Sequence, residues 1–153
     1  MADRRDTAGG RLSRLPVALA ALAVLAHLYG LYRPTGPPTP SWFPQADKLE
    51  HLVGFAAPVA LILLARGART VGALRRPSRR FTVGVVAAFL LHAVVSELVQ
   101  HFWYVGRTGD PVDVLADWVG VALGVAAARL LGRRRPTRTP EPRTGDVPAV
   151  RRS

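Results

Sequence analysis

Leu15 to Tyr32 reads LPVALAALAVLAHLYGLY, 18 consecutive residues without a formal charge. A soluble helix shows a charged face recurring every third or fourth residue along its length. This stretch shows none, and a bilayer-spanning helix needs about 20 mostly apolar residues. Three further stretches follow the same pattern. Leu49 to Ala65 carries Glu50 and His51 at its start and is apolar from Leu52. Phe81 to Trp103 is uncharged through Ser96 and then reads ELVQHFW. Pro111 to Leu131 has Asp113 and Asp117 early and Arg129 late. The first and third stretches meet the length directly, the second and fourth when their polar ends are counted. The reading is an all-α bundle of four transmembrane helices.

Composition agrees with that reading once the charges are located. The 153 residues hold 21 basic and 10 acidic side chains, a formal net charge of +11, no cysteine and 49% hydrophobic residues. So much charge beside so much hydrophobicity requires segregation along the chain. The absence of cysteine excludes a disulfide framework, a thiolate zinc site and thiol catalysis. A nucleic-acid binder of this size would keep a polar, foldable body between its basic patches, and this chain has none, so no nucleic-acid partner is expected.

The arginines set the expected orientation. Eighteen of the 21 basic residues lie before the first stretch, between Arg66 and Arg80, or from Arg129 onward. The other three, Arg33, Lys48 and Arg107, lie in the two remaining connections. Both termini are therefore expected in the cytoplasm, with 33–47 and 104–110 outside. The divisions expected are a cytoplasmic tail over 1–14, a membrane domain over 15–131 and a basic tail over 132–153. That last segment carries a net charge of +5, is rich in Pro, Arg and Thr, and is expected to be disordered and drawn to anionic lipid. A cleavable signal peptide is the competing reading of the first stretch, with a small-residue site at Val24-Leu25-Ala26. Hydrophobicity running on through Tyr32 counts against it. Five prolines from Pro34 to Pro44 keep the next connection out of regular structure, and Trp42 and Phe43 there suit an interfacial anchor.

Ionisable groups inside membrane helices are costly and are retained for function or tight pairing. Six of the ten acidic residues, Asp47, Glu50, Glu97, Asp110, Asp113 and Asp117, fall between positions 47 and 117. In the expected topology they share one end of the bundle with His51 and Gln100. Asp47 and His51 are one turn apart, with Lys48 beside them. Asp113, Asp117, Gly120 and Gly124 form one helical stripe, and its GxxxG half lets a neighbouring helix approach closely. Val119 and Val121 fall off that stripe. Asp110 followed by Pro111 reads as an N-cap and first helical residue. Each residue also has a structural reading. Asp47 with Lys48 makes an interfacial ion pair, Asp113 favours a helix N-terminus, Arg107 neutralises a carboxylate, Glu50 faces solvent, and His27 and His92 are packed singly. A metal site from His51, Glu97 and Asp117 lacks any supporting ligand spacing, so no metal or cofactor is expected.

The combined pattern resembles the VanZ-like family of small integral membrane proteins. Its elements are Asp47-Lys48-x-x-His51, Glu97-x-x-Gln100, Gly106-Arg107, Asp113 and Gly120-x-x-x-Gly124, spread over roughly residues 15 to 131. The family usually carries Asn where this chain has Asp117. The resemblance implies a multi-pass protein of a bacterial cell membrane with a role in the cell envelope. The family takes its name from a protein linked to low-level resistance to teicoplanin, a glycopeptide antibiotic acting on cell-wall precursors. No catalytic activity is implied for the family as a whole.

The expectation is a polar site at the outer leaflet that binds or modifies a lipid-linked or peptidoglycan-derived ligand. Glu97 and Asp117 are the acid/base candidates, because nearby desolvated carboxylates push their pKa values apart. His51 is a proton relay or orienter. Arg107 and Lys48 contact an anionic group, Arg through its planar fork, with Asp47, Gln100 and Asp113 completing the site. The rival reading is a non-catalytic scaffold or assembly protein whose polar cluster only holds helices together. A proton-coupled transporter ranks last, since no repeat or broken helix is visible.

Overall fold

A computed structural model describes residues 5–34, 42–70, 73–74, 76–104 and 109–132. Four long helices account for nearly all of them: α1 (Arg5–Tyr32), α2 (Ala46–Gly67), α3 (Arg79–Trp103) and α4 (Pro111–Leu131). Between α2 and α3 a short antiparallel ladder pairs β1 (Ala68–Thr70) with β2 (Ala73–Leu74), where the sequence suggested only a loop. All four helices contain segments long and apolar enough to cross a membrane, at Arg14–Tyr32, Ala46–Gly67, Arg79–Trp103 and Pro111–Leu131. This is the pattern of a multi-pass membrane protein.

The helix ends follow local chemistry. Asp110 caps α4, its Oδ1 accepting from the Val112 N–H at 2.8 Å, and Pro111 stands where a missing N–H costs nothing. Ser78 caps α3 by accepting from the Phe81 N–H at 3.3 Å. α1 extends back to Arg5, ahead of the apolar span, because a helix nucleated by that span propagates cheaply into its flank. The basic tail beyond Gly132 lies outside the described residues.

The core is small and centred on α2. Phe55, Val59 and Leu63 are buried against Leu31 of α1, Ala93 of α3, and Val121 and Ala128 of α4. The most extensive packing joins α2 to α4, and the glycine stripe explains why. A Cβ on Gly120 would collide with the Leu52 carbonyl oxygen, and one on Gly124 would come within 2.6 Å of the Ala56 carbonyl oxygen. The two backbones touch, and only glycine fits. Val121, off the stripe by spacing, is nevertheless only 2% exposed, because α2 and α3 together cover more of α4 than one stripe. Outside this core the large apolar side chains point away from the protein. Leu22, Leu25, Leu91, Leu115 and Leu130 are each at least 60% exposed, which suits contact with lipid tails.

Candidate functional site

The C-terminal ends of α1 and α3 and the N-terminal ends of α2 and α4 meet at one end of the bundle, and nearly all side-chain pairing occurs there. Deepest lies a His–Asp pair. His51 Nδ1 donates to Asp117 Oδ1 at 3.0 Å; His51 is 7% exposed and Asp117 is fully buried. Glu97 Oε1 is 3.9 Å from His51 Nδ1, and Asp113 Oδ2 is 3.9 Å from His51 Nε2. The imidazole of α2 is thus surrounded by carboxylates from α3 and α4. Asp117 Oδ2 is buried and accepts no hydrogen bond from the described residues.

Above this pair sits Lys48. Its ammonium donates to Asp113 Oδ1 at 2.6 Å, Asp110 Oδ2 at 2.9 Å and Asp47 Oδ2 at 3.1 Å. All three ammonium hydrogens are therefore committed. The Lys48 ammonium and the Val112 N–H hold the Asp110 carboxyl below the usual carboxylate range. Asp110 also donates its backbone N–H to Glu97 Oε2 at 2.9 Å, which fixes the rotamer of Glu97. This needs the chain before α4 to lie directly on α3. Gly109 permits it, since a Cβ there would stand 2.6 Å from the Glu97 carbonyl oxygen.

Two cavities flank the cluster. One is a groove of about 610 Å³ between α3 and α4, walled by Val94, Leu98, Leu115 and Trp118, with Glu97 and Asp110 at its polar end. The other, about 290 Å³, lies between α1 and α2 and reaches His51 from the opposite side. A ligand with an apolar tail could place that tail in the first groove and its head against Glu97.

Comparison with family models, with curated proteins and with solved structures gives no match to this chain.

Of the residues singled out in the sequence, His51, Glu97, Asp113 and Asp117 come together from three helices. Lys48 joins them to Asp47 and Asp110. Gln100 does not enter the cluster; its amide nitrogen donates to the Leu31 carbonyl at 3.3 Å. Tyr104 does the same for the Tyr32 carbonyl at 2.7 Å. Both satisfy carbonyls that the last turn of α1 leaves open. Glu50, expected to face solvent, pairs with Arg33. Arg107 lies outside the described residues. His51, Glu97 and Asp113 each offer one ligand atom within 4.8 Å of the others, a nitrogen–oxygen set that could hold a divalent metal.

One cluster escaped the sequence reading. His27 and His92, expected to be packed singly, lie 3.2 Å apart through Nε2 and Nδ1. The Tyr32 hydroxyl lies 3.0 Å from His92 Nε2, so the three side chains form one hydrogen-bonded chain. The His27 ring ends beside Gly54, whose carbonyl lacks its usual helix donor because Pro58 has no N–H. The available signal was two isolated histidines on helices that run in the same direction.

Proposed function

We propose that this is a VanZ-like protein of a bacterial cell membrane that binds a lipid-linked, cell-wall-related ligand with its head at the carboxylate cluster. The observation that supports this reading most is the α3–α4 groove, apolar along its walls and ending at Glu97 beside the His51–Asp117 pair. Glu97 lines the groove and is the acid/base candidate of this reading, its carboxylate held in place by the Asp110 N–H. His51 relays or orients a proton. Asp117 is fully buried and bonded to His51, so in this reading it acts through His51 by orienting the imidazole. An anionic ligand contact through Lys48 is disfavoured, because three carboxylates already occupy it. That role would fall to Arg107. The cluster lies on the outer face in this reading, which the arginine distribution supports.

The test is the lipid that accompanies the purified protein. Mass spectrometry of wild type should find a lipid-linked saccharide enriched over bulk membrane lipid. Leu115→Trp, which fills the groove from an exposed position, should lose it, and Glu97→Gln should weaken its retention and raise glycopeptide susceptibility. Recovery of bulk lipids alone, unchanged by Leu115→Trp, would end the proposal. Orientation has its own check. Single cysteines at Thr39 and Thr137 should be labelled and spared, respectively, by an impermeant maleimide on intact cells.

A second reading has one observation in its favour. His51–Asp117 and Lys48–Asp113 join α2 to α4, the same helices the glycines seat together, as a scaffold clamp would. In that case Glu97→Gln leaves lipid retention and susceptibility unchanged.

A further inference from the structure

The opposite end of the bundle holds a crevice of about 430 Å³ bounded by the end of α2, the start of α3 and the end of α4. Arg76, Arg79 and Arg129 line it, over a floor that includes Leu63, Val83 and Val125. Among the described residues no carboxylate lines it. Among the described residues none of the three arginines has an acidic partner, whereas Arg33 and Lys48 at the other end are both paired. Arg66 is nearby but turned elsewhere, with its guanidinium 5.6 Å from the centre of the Phe81 ring. Three like charges gathered on one apolar crevice repel one another unless an anion joins them.

We propose that this crevice binds the phosphate headgroup of an anionic phospholipid. The guanidinium forks of Arg76, Arg79 and Arg129 hold the phosphate oxygens, and an acyl chain runs along Val83 and Val125. Guanidinium meets phosphate through paired charge-assisted hydrogen bonds, which an ammonium cannot reproduce. The depth is right for a lipid. Arg79 is the first residue of α3 and Arg129 lies in the last turn of α4, so both stand at headgroup level, while Leu63, Val83 and Val125 lie towards the hydrocarbon. A soluble anion would gain the charge contacts but leave the apolar floor in water. The inference is independent of the function proposed for the carboxylate end.

The test uses the full chain in a neutral detergent, stripped of lipid. Phosphatidylglycerol should raise the melting temperature by several degrees, while phosphatidylcholine and inorganic phosphate should not. Native mass spectrometry should show one phosphatidylglycerol retained per chain. Each of Arg76→Gln, Arg79→Gln and Arg129→Gln should weaken retention by roughly fivefold, as expected for one interfacial arginine. Arg80→Gln removes the same charge outside the crevice and should retain wild-type binding. Any of the three single variants that stays folded suffices for the comparison. Equal losses from Arg80→Gln would mean that only net charge attracts the lipid, and would overturn the site. Stabilisation by inorganic phosphate as large as that by phosphatidylglycerol would overturn the lipid assignment.

Discussion

The two ends of this bundle solve the same electrostatic problem in opposite ways. At the carboxylate end both described permanent cations are paired, Arg33 with Glu50 and Lys48 with Asp47, Asp110 and Asp113. The partners of His51 and Lys48 on α4 lie more than 60 residues away in sequence, so this neutralisation is made by the fold. At the arginine end Arg76, Arg79, Arg80 and Arg129 have no acidic partner among the described residues. The difference tracks burial. A charge inside the bundle must be paired within it, while one at the interface can wait for an anion from lipid or water.

The largest predicted effect tests the joint on which the carboxylate end depends. Gly120→Leu and Gly124→Leu should each cost at least about 3 kcal/mol or abolish folded protein, because the added side chain meets the α2 backbone. Val119→Leu, on a 43% exposed position, should melt like wild type in the same detergent. Similar melting of all three would mean that α4 does not seat on α2.

Next comes the buried pair. His51→Ala strands the Asp117 carboxylate and should cost about 3–5 kcal/mol. Asp117→Asn retains an acceptor for the His51 Nδ1–H and should cost no more than about 1.5 kcal/mol. Thermal melts that rank the two in reverse would show that the charge of Asp117, and not its hydrogen bond, holds the end together.

The comparison between ends has a direct form. Lys48→Met should destabilise by on the order of 2 kcal/mol, below the buried-pair range because the lysine is partly exposed. Arg129→Met, measured in lipid-free detergent, should stay within about 0.5 kcal/mol of wild type. Equal costs would erase the distinction between a paired and an unpaired end.

The smallest effect is in pH. Asp110 titrates below the ordinary carboxylate range when folded, first through Lys48 and then through Val112. Its contribution is therefore present above the ordinary carboxylate pKa and is lost as pH falls through the lower, folded value. Asp110→Asn keeps a competent cap but should remove this part of the acid sensitivity. An acid melting profile of Asp110→Asn that overlays wild type would detach Asp110 from the network.

The sequence alone was sufficient for the four spans, for the start of α4 at Asp110-Pro111, and for placing His51, Glu97, Asp113 and Asp117 near one another. Those features are local: hydropathy over a turn-by-turn window, a capping side chain two residues from its N–H, and a stripe of small and acidic residues on one helix. The tertiary structure decided which helix meets the glycine stripe, that Lys48 is the counter-ion of Asp110 and Asp113, that Gln100 serves the last turn of α1, that Val121 is core, and that His27 and His92 form one chain with Tyr32. The reason lies in the solvent. In a bilayer the lipid-facing side of a helix is as apolar as its buried side, so periodicity does not reveal how each helix is rotated. That rotation decides every cross-helix pair, and only packing the four helices together sets it.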